Sequence, residues 1–138
     1  MSDKVSLNWM EDLAFEANVN GHKIIMDAVE SAGGRNRGPR PKPLVLAALA
    51  GCTAMDVIPI LRKMQVIPEG FGIEVEAETT EEHPKVYHTI KLIYIFKGQN
   101  LPIDKLQTAI DLSQERCCGV SAMLRKAAHI SYEMRIEN

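Results

Sequence analysis

The side chains best suited to covalent chemistry in this 138-residue chain are three cysteines, Cys52, Cys117 and Cys118. Cys52 stands in AALAGCTAMD, where Ala48, Ala50 and Gly51 keep the surroundings small and leave the sulfur open to a small oxidant. The same setting suits an inert thiol in an Ala-rich helix, because free cysteine packs as a small hydrophobe. Asp56 follows one helical turn later on the same face, and its carboxylate opposes formation of a thiolate. A reactive Cys52 therefore needs a compensating cation. The preceding loop offers Arg35, Arg37 and Arg40, any of which would lower the thiol pKa and present donors to an oxidant's departing oxygen. The competing reading of these arginines is a solvated loop.

Cys117 and Cys118 form the second locus. Consecutive helical residues point about 100° apart, so at most one of the two faces Cys52. A reactive thiol on one helix and a resolving thiol on another is what a two-cysteine peroxide cycle requires: a sulfenate forms, then condenses to a disulfide. Cys118 equally fits a core residue at a helix end, and Cys117 reads as a bystander. The cysteines and His22, His83, His88 and His129 lack the ligand spacing of a zinc centre, so no metal or cofactor is expected. His22 and His88 read as surface histidines in strands. Glu74, Glu76 and Glu78 follow the period of one solvated sheet face, and the seven methionines read as core filler.

The elements that must carry these residues are legible from periodicity. Val5, Leu7 and Trp9, then Leu13, Phe15 and Ala17, alternate as strands, and Asn20-Gly21 supplies a hairpin turn before Lys23 to Asp27. SAGGRNRGPRPKP, residues 31 to 43, is a loop with local positive charge. Leu44 to about Lys63 reads as a long central helix with a uniformly buried start and a kink or early stop at Pro59. Phe71 to Thr79 and Val86 to Lys97 read as paired strands, the second of them central because Leu92 to Phe96 is apolar on both faces. Pro102 opens an amphipathic helix with Ile103, Leu106, Ala109, Ile110 and Leu112 inside. Gly119 permits a break, Ser121 is suited to cap a short helix, and Ile130 to Ile136 alternates as a last strand. The order β-β-β-α-β-β-α-α-β is that of an α+β domain.

Composition narrows the function classes. With 46% hydrophobic and 25% charged residues the chain is expected to form one domain, residues 1–138. Lys plus Arg is 16 against 18 for Asp plus Glu, a net charge of −2 that offers no basic field for nucleic acid. The apolar run Leu44 to Met55 falls short of a bilayer span, so no membrane partner is expected. Three cysteines, an odd number, and no hydrophobic leader at the N-terminus point to the cytoplasm, where thiols stay reduced.

The two cysteine segments, LVLAALAGCTAMDVIPILRKM and LSQERCCGVSAMLRKAAHISYEM, together resemble the OsmC/Ohr family of organic hydroperoxide resistance proteins, in particular its divergent OsmC-like branch. The resemblance extends from Val5 to Ile136. It implies an α+β fold with two antiparallel sheets around a long central helix, and an intertwined homodimer with sites at the interface. It further implies that Cys52 is the peroxidatic and Cys118 the resolving cysteine of a thiol peroxidase, acting on a small organic hydroperoxide and recycled by a dithiol or lipoyl reductant. A loop arginine, Arg35 or Arg37, corresponds to the family's catalytic arginine. The glutamate that orients this arginine in family members falls at Lys42 or Pro43 here, leaving loop packing or another acid, such as Asp56, to hold it. The alternative is a protein of the same fold without peroxidase activity, a redox sensor or a binder of small apolar ligands.

Overall fold

A computed structural model describes residues 1–138. The chain forms two compact units, residues 1–46 and 47–138. In the first, β1 (Val5–Glu11), β2 (Ala14–Val19) and β3 (His22–Met26) make an antiparallel meander in that order. The β2–β3 turn is the expected Asn20-Gly21 pair, both with positive φ, 51° and 82°. Ala14 and Ala17 of β2 are buried, while Val5, Leu7 and Trp9 of β1 stay exposed. A single turn of 3-10 helix, Glu30–Ala32, leads into the glycine-rich loop.

The helix α1 (Pro41–Lys63) starts in the first unit and runs on into the second. It begins at Pro41 rather than Leu44, because Pro41 and Pro43 occupy a first turn whose N–H groups need no intrahelical acceptor. The helix does not stop at Pro59 but runs on to Lys63. Met55 and Pro59 share an exposed face, where water can satisfy the carbonyl that Pro59 leaves without a donor. The uniformly buried start is not observed either. Burial is confined to a stripe of fourth residues, Leu49, Thr53, Val57 and Leu61, and Val45 and Met55 are open to solvent. By length and hydropathy α1 would suffice to cross a bilayer, yet it carries Thr53 and Asp56 in hydrogen bonds of the folded unit, which fits a soluble protein.

The second unit is built on a sheet of β4 (Gly70–Thr79), β5 (Tyr87–Lys97) and β6 (His129–Glu137), ordered β4-β5-β6. The pair β4–β5 is antiparallel, with Val75 opposite Leu92, but β6 joins β5 in parallel, so this sheet is mixed rather than antiparallel throughout. The parallel pairing follows from the helical crossover between β5 and β6. As the apolar run on both faces implies, β5 is the central strand, and Leu92, Ile93 and Tyr94 are all buried. The crossover contains α2 (Ile103–Leu112), a π-helical turn over Ser113–Cys117, and α3 (Gly119–Leu124). Leu106, Ala109 and Ile110 are buried as expected; Ile103, at the first position of α2, is exposed. Glu74, Glu76 and Glu78 line the solvated face of β4.

Candidate functional site: a paired thiol on a hydroxyl scaffold

The side chains of Cys52, half-buried on α1, and Cys118, buried between the π-turn and α3, lie near one another. Cys117 is exposed. What brings Cys118 inward is the π-turn, whose widened ring closes with a 2.7 Å bond from the Cys118 amide to the Ser113 carbonyl. Ser113 and Gln114, at the start of that turn, are both buried. Cys118, not Ser121, is the N-cap of α3: its sulfur accepts from the Ser121 amide at 3.3 Å. Ser121 lies buried inside that helix.

Burial pushes the Cys52 thiol up in pKa, and the neighbouring Cys118 and the Asp56 carboxylate add to the shift, while a backbone N–H from Val120 opposes it. Cys52 in this unit is thus a thiol with a second sulfur and an acid nearby.

Beside the two sulfurs lies a buried polar cluster. Thr53, next to Cys52, bonds Tyr94 and Ser113, each at 2.7 Å between oxygens. Ser113 donates to Asp56 at 2.9 Å, and Gln114 donates to the Tyr94 hydroxyl at 2.7 Å. Arg125, at the end of α3, donates to the Gln114 backbone carbonyl at 2.8 Å and to its side-chain oxygen at 3.3 Å. Burial raises the Tyr94 pKa, with smaller upward contributions from Cys118 and Asp56, so the phenol stays neutral and available as a donor. Its ring meets Tyr132 edge-on, centroids 6.3 Å apart. This cluster ties the helix segment of Cys52 to the turn that carries Cys118, fixing the two sulfurs relative to each other.

The loop arginines belong to the first unit, where Arg37 is bound by three carboxylates. Its Nε donates to Asp27 at 2.9 Å, Nη1 to Glu11 at 2.7 Å and Nη2 to Asp12 at 3.3 Å. Asp27 is buried and also accepts from the amides of Ala28, Arg35 and Arg37. The Arg37 guanidinium, ahead of the amide hydrogen bonds and against the cost of burial, holds the Asp27 carboxyl well below the usual carboxylate range. Close approach of the loop depends on Gly34, where a Cβ would collide with the Ala28 carbonyl and come within 2.7 Å of Asp27 Oδ1. Arg35 points outward, its side chain 70% exposed, with Asp12 at 3.4 Å. Arg40 donates to Asn36 and Gly38. The acid that holds an arginine is therefore Asp27; Asp56, the acid expected in that role, accepts from Ser113 instead.

Sequence reasoning passed over Asp27, Thr53, Tyr94, Ser113 and Gln114. Thr53 left a trace, a lone hydroxyl on the apolar stripe Leu49, Val57, Leu61. Ser113 and Gln114 continue the inward rhythm of Leu106, Ala109 and Ile110.

The chain is an α+β protein with two nearby thiols, one on a long helix and one at the head of a short helix. The family model described as OsmC-like protein matches residues 33–133, and the chain belongs to that family. It is 34% identical over 131 residues to "Protein YhfA" of Escherichia coli K12, covering 94% of this chain and 95% of that one. A crystal structure of a hypothetical protein from Aquifex aeolicus VF5 superposes with a TM-score of 0.83 at 26% identity, over 100% of this chain and 99% of the other. The organic hydroperoxide resistance protein OhrB of Bacillus subtilis shares the fold, with a TM-score of 0.69 at 15% identity and 98% coverage of both chains.

Proposed function

We propose that this protein is a cysteine-dependent reductase of small organic hydroperoxides, a single OsmC-like domain over residues 1–138, acting in the cytoplasm in defence against oxidative stress. The observation that carries the reading is the proximity of the Cys52 and Cys118 thiols. The Cys52 thiolate attacks the peroxide oxygen, the O–O bond breaks, and the alkoxide leaves as the alcohol after taking a proton. Cys118 then attacks the resulting sulfenate, forming a disulfide and releasing water. A dithiol or lipoyl reductant restores both thiols by exchange.

Arg37 is the arginine assigned to the departing alkoxide, in preference to Arg35. Three carboxylates fix its guanidinium, whereas Arg35 has one long contact and an exposed side chain. Asp27 takes the orienting role of the glutamate that Lys42 and Pro43 do not supply.

The functional unit is a homodimer. Support comes from apolar surface that the single chain leaves open, Val5, Leu7 and Trp9 on β1 and Val45 and Met55 on α1. Members of the family are often homodimers, and neither nucleic acid nor a membrane is assigned as a partner.

The test is consumption of cumene hydroperoxide with a dithiol reductant. Wild type turns over, and Cys52→Ser falls to the uncatalysed background; equal consumption by the variant refutes the reading. A second reading, a binder of small apolar ligands without turnover, draws support from a cleft of about 420 Å³ lined by Ile58, Arg62, Val66, Ile67 and Phe71, which includes neither thiol. It predicts no peroxide consumption by any form of the protein.

A further inference from the structure

The buried cluster beside the thiols has a direction. Asp56 as a carboxylate has no proton to give, so the single hydrogen of Ser113 is committed to it. Ser113 must then accept from Thr53, and Thr53, its hydrogen used, must accept from Tyr94. The Tyr94 hydroxyl donates to Thr53 and accepts from the Gln114 amide, whose oxygen faces Arg125. Every donor therefore points the same way, from Arg125 through Gln114, Tyr94, Thr53 and Ser113 to Asp56. Hydrogen bonds aligned in this manner polarise one another, and the chain ends by supporting negative charge on Asp56. That charge is held on the helix that carries Cys52, four residues on and hence on the same face.

We propose that Asp56 is a positioning residue that restrains Cys52, its carboxylate being fixed by the hydroxyl chain so as to keep the neighbouring sulfur in its neutral thiol form. Besides burial, the groups that act on the Cys52 thiol in this unit are the Val120 amide and Cys118 from the head of α3, and the Asp56 carboxylate from α1. Tyr94 from β5 is neutral, and Arg125, the cation attached to the cluster, is engaged with Gln114 at its far end. Since oxidants attack the thiolate, the restraint protects Cys52 from indiscriminate oxidation. The restraint acts on the acidity of the sulfur and does not depend on which oxidant Cys52 meets.

The experiment follows iodoacetamide labelling of the reduced full-length protein from pH 6 to pH 10, read by mass at the Cys52-containing peptide. Asp56→Asn keeps an oxygen to accept from Ser113 and removes the charge. Its labelling inflection is expected at lower pH than in wild type, with a rate at pH 7 raised about threefold or more. Asp56→Glu, which restores the charge, is expected to return the inflection toward the wild-type position. Asp56→Ser, a second neutral acceptor, is expected to match Asp56→Asn and supplies the test if the amide variant does not fold. An inflection that stays in place or moves up in the neutral variants overturns the proposal. No peroxide is present, so the labelling reports on Asp56 even in a protein that fails to reduce hydroperoxides.

Discussion

The two compact units each hold a carboxylate in a polar cluster, Asp27 buried and Asp56 half-buried, and they satisfy it by opposite means. Asp27 in the first unit faces a guanidinium at 2.9 Å and three backbone amides. Asp56 in the second is met by a hydroxyl, Ser113, at the end of a neutral chain. An ion pair of the first kind neutralises the acid and fixes the arginine, at the cost of desolvating both charges. A hydroxyl chain of the second kind fixes the acid but leaves its charge uncompensated where the nearby thiol feels it. The unit with the arginine is thus organised to hold a cation in place, and the unit with the cysteines to hold two sulfurs together while keeping one of them protonated.

The comparison can be broken most severely at Thr53, the link through which the neutral chain runs. Thr53→Val keeps the shape but leaves the buried Tyr94 hydroxyl with no acceptor for its hydrogen and deprives Ser113 of the donor it accepts from, and is expected to cost about 2 kcal/mol, lowering Tm by roughly 5 to 10 °C. It should also slow disulfide formation between Cys52 and Cys118, because the segments bearing them lose their tie. A Tm within a degree of wild type would show that the chain is not a structural link.

Asp27→Asn sharpens the other side with a smaller effect at neutral pH, since Glu11 and Asp12 still engage Arg37. Its signature is in acid. The folded-state pKa of Asp27 is depressed, so its contribution to stability is complete above the unfolded carboxylate pKa of about 3.9 and is lost as the pH falls below it. Thermal melts between pH 2.5 and pH 7 should therefore show a shallower acid decline in Asp27→Asn than in wild type. Parallel profiles would contradict the pairing.

How far the sequence disclosed this arrangement depended on whether a signal was local. Strand alternation, the Asn20-Gly21 turn, the helix opened by Pro102 and the central position of β5 are local signals, and all were legible; the start of α1 at Pro41 was not. Arg37 and Cys118 were legible as candidates because their residue types carry chemistry. Their partners were not. Asp27 is at the end of an apolar strand and is joined to Arg37 only when the Gly34 loop folds back, and Tyr94 hides inside a run of large apolar residues. The parallel pairing of β6 and the π-turn that turns Cys118 inward are products of tertiary packing that a one-dimensional pattern does not record.

The central claim is that Cys52 and Cys118 form one redox pair. It is tested most directly by intact mass and thiol alkylation after one equivalent of cumene hydroperoxide, in wild type, Cys52→Ser and Cys118→Ser. The account predicts that wild type loses two thiols, that Cys118→Ser stops at a sulfenate on Cys52, and that Cys52→Ser remains fully reduced. Wild type retaining all three of its thiols, or Cys52→Ser losing thiols as wild type does, would contradict it.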